Sequence, residues 1–88
     1  MTPTDRIRAT ALSLPGTDET AIDGLTTFRV ADAPFVQIRG DAGLWVRTAD
    51  SELVLPLTGE TDWMIVEDRI ARSWELTAPA SLLEAGGR

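Results

Sequence analysis

Three arginines, a tryptophan and a glutamine recur through Thr26–Thr48 at spacings that could do chemistry together. The segment reads Thr-Thr-Phe-Arg-Val, a short turn, Phe-Val-Gln-Ile-Arg, a glycine-flanked turn, then Leu-Trp-Val-Arg-Thr. Guanidinium groups stay charged at any working pH and present a planar fork of donors. They therefore bind phosphates and carboxylates and do not act as ordinary general bases. An indole among them adds a flat surface on which a base or a cation can lie. Arg29, Gln37, Arg39, Trp45 and Arg47 thus form a candidate binding site, not a catalytic one.

The residues that are missing point the same way. The chain has no cysteine, histidine or tyrosine, and all eight of its basic residues are arginine. That removes thiolate nucleophiles, the commonest general base near neutral pH, the commonest metal ligand and Schiff-base chemistry. The serines lack a histidine partner. No Gly-rich phosphate loop, nucleophile elbow or zinc spacing occurs. Asp18-Glu19 and Glu67-Asp68 are adjacent pairs that read as solvated loop charge, because neighbours in an extended segment point to opposite sides. The expectation is a protein without enzymatic activity, metal or cofactor.

Turn chemistry decides which side chains share a face. A three-residue loop at Asp41-Ala42-Gly43, with Gly43 supplying a left-handed residue, pairs Arg39 with Trp45 and Ile38 with Val46. A loop at Asp32-Ala33-Pro34 pairs Val30 with Val36 and Arg29 with Gln37. Both registers put Phe28, Val30, Val36, Ile38, Leu44 and Val46 on one apolar face. Side chains alternate with period two, so a slip of one residue in either hairpin would destroy that agreement. The opposite face then carries Thr27, Arg29, Gln37, Arg39, Trp45 and Arg47.

Three readings of that second face are open. It could grip phosphates while Trp45 stacks on a base, as single-strand binders do. It could be a solvated sheet face with Arg39 lying over Trp45 as a cross-strand cation–π pair. It could also be a protein-binding patch, since Trp and Arg dominate interface hot spots.

The remaining elements must hold this meander in place. Thr4 reads as an N-cap, and Ile7, Ala11 and Leu14 form one apolar helical stripe that ends at Pro15-Gly16. Thr17-Asp18-Glu19 reads as a loop and Thr20–Asp23 as a short strand or extended link. Ser51–Leu57 reads as an edge strand or a buried helical turn broken by Pro56. Trp63–Val66 reads as a buried strand and Arg72–Leu76 as another. Pro79 starts a second helix in which Leu82 and Leu83 face the sheet. Trp63 and Trp74 read as core and rim residues, with an indole-lined ligand pocket as the alternative.

An 88-residue chain with 43% hydrophobic and 25% charged residues suits one small domain, here residues 1–88. No apolar run approaches the roughly 20 residues a membrane span needs. The N-terminus lacks the apolar core of a signal peptide, so the cytoplasm is the expected location. The net charge of −6 weighs against nucleic acid and favours a protein partner, because duplex binders usually show a basic excess.

The run Ala11-Leu12-Ser13-Leu14-Pro15-Gly16-Thr17-Asp18-Glu19, followed by Thr27-Phe28-Arg29-Val30 and then Leu44-Trp45-Val46-Arg47, resembles the MmcQ/YjbR family of small bacterial proteins. The resemblance covers roughly the first half of the chain. It implies an α+β domain: an N-terminal helix, a curved antiparallel sheet of four to six strands and a C-terminal helix, similar to the frataxin/CyaY-like arrangement. It also implies DNA as partner through the sheet surface, and it brings no catalytic residues. Ser51–Leu57 stands where the family has a helix. The expected function is a small binding module using Arg29, Gln37, Arg39, Trp45 and Arg47, with DNA as the partner the resemblance implies. Protein–protein interaction or self-association is the alternative.

Overall fold

The computed structural model describes residues 2–40 and 43–85 and shows an α+β fold. In chain order it has α1 (Pro3–Leu12), β1 (Thr17–Ile22), β2 (Leu25–Val30), β3 (Ala33–Ile38), β4 (Leu44–Arg47), β5 (Glu52–Leu55), α2 (Trp63–Thr77) and α3 (Ala80–Ala85). The five strands form one antiparallel meander in sequence order. Ile7 and Ala11 of α1, and Val66, Ile70 and Trp74 of α2, join Phe28, Val30, Val36, Leu44 and Val46 in one buried cluster. Leu82 and Leu83 of α3 pack against it, as expected. Among the described residues no helix is long and apolar enough to cross a membrane.

Helix α1 begins two residues earlier than Thr4 implies. Thr2 is the N-cap, and Thr2 and Asp5 close a reciprocal capping box. At its other end the Thr17 hydroxyl donates to the carbonyls of Ala11 and Leu14, tying β1 to the end of α1.

The two N-terminal hairpins use two-residue turns with both central residues in the left-handed region, the geometry that matches the twist of paired strands. Asp23-Gly24 turns β1 into β2, so Thr17–Glu19 is strand and not loop. Ala31-Asp32 turns β2 into β3, in place of the loop expected at Asp32-Ala33-Pro34. Phe28 faces Val36 while Arg29 faces Pro34, which leaves Phe35 as the extra residue of a bulge. Pro34 has no amide to give a ladder, and a bulge is where a strand tolerates that. Both Phe35 and Val36 enter the core.

In the next hairpin Ile38 faces Leu44 and Val36 faces Val46. Both hairpins are therefore offset by two residues from the expected pairing, at least up to the bulge. A two-residue offset preserves side-chain parity, and the expected apolar face survives. The proposed loop residues Asp41 and Ala42 lie outside the described residues. Gly43 does take a positive φ of 112°, and a Cβ there would fall on the Leu55 carbonyl.

The segment from Trp63 to Leu76 corrects the sequence reading most. It is one helix, not two strands. Asp62 caps it by accepting from the Met64 amide. Val66, Ile70, Ser73 and Trp74 form its buried stripe, while Met64 is 81% exposed and Ile65 51% exposed. The apolar run Trp63–Val66 is thus split between two sides of a helix.

Ser73 is the pin between α2 and the bulge. Its hydroxyl donates to the Phe35 carbonyl and accepts the Arg47 amide at 2.9 Å. Both backbone groups are outside the strand ladder here. Ser73→Ala would leave a buried donor and acceptor without partners, a loss of about 1–3 kcal/mol. Urea denaturation should show that loss as a lower midpoint with an unchanged slope. A variant as stable as the parent would contradict the pinning role.

Candidate functional site

The helices all sit on the Phe28/Val46 face, which leaves the Arg/Trp face as the sheet's outer surface. Register defines a row across it: Thr20, Thr27, Gln37, Trp45 and Val54, one from each strand. Side-chain hydrogen bonds run along this row. The Thr27 hydroxyl donates to the Leu25 carbonyl at 3.0 Å, and Gln37 Nε2 donates to that hydroxyl at 3.1 Å. Arg39 Nε then donates to Gln37 Oε1 at 2.8 Å. The amide of Gln37 is held at both ends, so it fixes Arg39 in one orientation.

That orientation puts the Arg39 guanidinium 5.4 Å from the centre of the Trp45 ring. Arg47 approaches the same ring at 5.8 Å, with its Nε donating to the Pro34 carbonyl at 3.1 Å. Pro34 is the bulge-flanking residue, so the irregularity in β3 also steers Arg47. Glu52 is the register partner of Arg47, yet no ion pair joins them. Each exposed cation–π contact contributes about 0.5–1 kcal/mol.

Trp45 is only 6% exposed. Its ring therefore is not an open stacking platform. The expected cross-strand Arg39–Trp45 contact is present, although Gln37 and not Arg39 lies directly opposite the ring. The indole Nε1–H is buried and has no acceptor. An unanswered buried donor costs about 1–3 kcal/mol, and such groups are rare in folded proteins.

Arg29 stands apart from this cluster. Its Nε and Nη2 donate to the two carboxylate oxygens of Asp18 at 2.9 and 3.1 Å, and Asp32 lies 3.9 Å away. The Asp18 hydrogen bonds raise the Arg29 pKa above its ordinary value, with a smaller opposing effect of burial. Arg29 is thus a paired residue of the β1–β2 hairpin. The structure brings Gln37, Arg39, Trp45 and Arg47 together and leaves Arg29 aside. It adds Val54 and the Pro34 carbonyl to the site, neither of which the pairing expected from sequence could place.

The acidic pairs are engaged as well. Asp18 and Glu19 alternate across β1, with Asp18 holding Arg29 and Glu19 reaching Arg8 of α1. On α2, Glu67 pairs with Arg6 and Asp68 with Arg72. Arg6 also lies 4.6 Å over the ring of Trp63. Among the described residues no group of three or more acidic side chains could hold a metal ion.

The Arg8–Glu19 contact has a pH signature. Hydrogen bonding from Arg8 lowers the Glu19 pKa, with burial opposing it and the Arg8 charge reinforcing it. The folded-state carboxyl is therefore more acidic than the unfolded one. Its contribution is present above the ordinary carboxylate range and is lost as pH falls through the folded value. Thermal midpoints measured across that range should fall less steeply on acidification in Glu19→Gln than in the parent. Identical acid slopes would contradict the contact.

Beyond Arg47, at the end of the sheet, Thr48 and Ala49 meet α2 and α3 in a cleft of about 1000 Å³ lined by Arg69 and Arg72 and also by Asp68 and Glu75. Arg47 belongs to both surfaces. Among the described residues, Arg39, Arg47 and Arg69 have no carboxylate partner, although the chain carries 14 acidic residues against 8 basic ones. This arrangement can hold an anion by fork-like hydrogen bonds and charge. No family model, curated protein or solved structure matches the chain.

Proposed function

We propose that this chain is a small non-enzymatic binding module of the YjbR-like type that holds DNA by its phosphates across the Arg39/Trp45/Arg47 face. One observation carries the reading. In a chain of net charge −6, two guanidiniums converge on one indole on the outer sheet face, and no carboxylate among the described residues neutralises either. Arg47 also lines the neighbouring cleft together with Arg69, although Asp68 and Glu75 line it too. The covered ring of Trp45 favours backbone contact over base stacking, so binding is expected to be indifferent to sequence.

The overall negative charge opposes encounter with DNA and makes the complex weak. A labelled single-stranded oligonucleotide should raise its fluorescence anisotropy at low salt. The logarithm of the binding constant should then fall with log salt at a slope of about −1.4 for two phosphate contacts. Absence of binding at low salt would sink the proposal.

A protein partner, or a second copy, on the same face is the second reading. Val54, 40% exposed beside Trp45 on the edge strand β5, favours it, together with the net charge. Light scattering would then show an assembly that Val54→Lys dissolves. A monomer at every concentration, with no partner captured, counts against this second reading.

A further inference from the structure

The buried Trp45 indole N–H donates to nothing among the described residues, and two guanidiniums lie over the same ring. Gln37 Oε1 accepts from Arg39 and the Pro34 carbonyl accepts from Arg47, and neither takes a hydrogen bond from the indole. The Thr27 hydroxyl accepts from Gln37 and donates to Leu25. What remains is one buried indole N–H with no acceptor and two guanidiniums bonded only through Nε among the described residues. Donors without acceptors thus stand close together here: the indole N–H and the free ends of two guanidiniums beside the same ring. Buried polar groups are nearly always matched, so the complement of such a cluster is an anion bearing several acceptor oxygens.

We infer that Arg39, Trp45 and Arg47 form an oxyanion site in which a phosphate oxygen accepts from Trp45 Nε1–H while the two guanidiniums take the other oxygens. This rests on the phosphate-binding reading above and narrows it. The ligand is met by the edge of the indole and not by its face, which the arginines cover. The recognised group is the phosphate itself, whether in a phosphodiester backbone or as a free phosphate. Arg39 is held by Gln37, whereas Arg47 is exposed and its long side chain can turn to admit the anion. Glu52, across from Arg47, is the carboxylate that competes with the anion for this cation.

The test follows the indole N–H signals of the ¹⁵N-labelled protein, with Trp45 assigned through Trp45→Phe. Trp74, whose Nε1–H donates to the Pro15 carbonyl, is the internal control. Inorganic phosphate and a single-stranded oligonucleotide are added in separate titrations, against sodium chloride at equal ionic strength. The Trp45 signal should move downfield and saturate with both, the Trp74 signal should stay, and the shift should vanish in Arg39→Ala/Arg47→Ala. Arg39→Lys/Arg47→Lys, which keeps the charge without the fork, should weaken phosphate binding about tenfold, or about 1.4 kcal/mol. If the oligonucleotide binds by anisotropy while the Trp45 signal stays put, the oxyanion site is wrong and the DNA reading stands. If phosphate moves the signal and no oligonucleotide binds, the site stands as a free-phosphate site and the DNA reading falls. A signal unmoved by either ligand, with no oligonucleotide bound, overturns both.

Discussion

Trp74→Ala is expected to remove about 3–5 kcal/mol of stability, the range for truncating a buried tryptophan. Folded chains have roughly 0.05–0.15 kcal/mol per residue in hand, about 4–13 kcal/mol for this chain, so the loss is a large share of the margin. Trp74 is fully buried, and two different parts of the fold depend on it. Its ring fills the space between α2 and the sheet. Its Nε1–H donates to the Pro15 carbonyl at 3.0 Å, fastening α2 to the turn in which α1 ends. At the same turn Gly16 takes φ +70°, and a Cβ there would press on a Leu82 methyl of α3.

Trp74→Phe separates the two roles. It keeps most of the apolar surface and leaves the Pro15 carbonyl unanswered, for a loss of about 1–3 kcal/mol. Urea midpoints should rank the parent above Trp74→Phe and Trp74→Ala last, with similar slopes if unfolding stays two-state. A Trp74→Ala variant within about 1 kcal/mol of the parent would contradict the packing described, since that is an ordinary value for an arbitrary substitution.

Arg39→Ala and Arg47→Ala should each weaken oligonucleotide binding about tenfold, equivalent to about 1.4 kcal/mol. Each should also make the salt slope shallower by about 0.7, one phosphate contact on a single strand. Neither arginine reaches the core, so the thermal midpoint should move little. Arg29→Ala is the informative contrast. Asp18 already holds that guanidinium bidentately, so its removal should cost hairpin stability and leave the salt slope unchanged. If Arg29→Ala changed the slope as much as Arg39→Ala, the site would have to be redrawn around the β1–β2 hairpin.

This contrast comes from a feature the sequence reading missed. Asp23-Gly24 is a strong two-residue hairpin signal, but Thr17-Asp18-Glu19 read as a loop. With β1 unrecognised, Asp18 had no reason to sit beside Arg29, and Arg29 stayed in the candidate site. The second turn was harder to see. Ala31 takes φ 50° there, a conformation that alanine does not advertise. The two faces of the meander were legible all the same. Period-two alternation is blind to an offset of two residues, so Phe28, Val36, Leu44 and Val46 sorted correctly from pairings that were themselves displaced.

Helix α2 failed for a different reason. Four apolar residues in succession, Trp63–Val66, have no visible period, and such a run suits a buried strand as well as a helix. The signals that decide it lie further along: Asp62 as cap, Val66, Ile70 and Trp74 at helical spacing, and no proline or glycine from Asp62 to Ala78. The convergence of Arg39 and Arg47 on one ring was only half legible. Sequence supplied the parity that put all three on one face, but the bulge beside Pro34 and the Gln37 bridge that aim the arginines belong to tertiary structure.

The central claim is that the outer sheet face binds phosphate through Arg39 and Arg47. Its most direct test is oligonucleotide anisotropy across a salt series, run side by side for the parent and for Arg39→Ala/Arg47→Ala. The parent slope should be about −1.4, and the double variant should show no measurable binding even at the lowest salt. A parent that binds nothing, or a double variant that binds with the parent's slope, would contradict it.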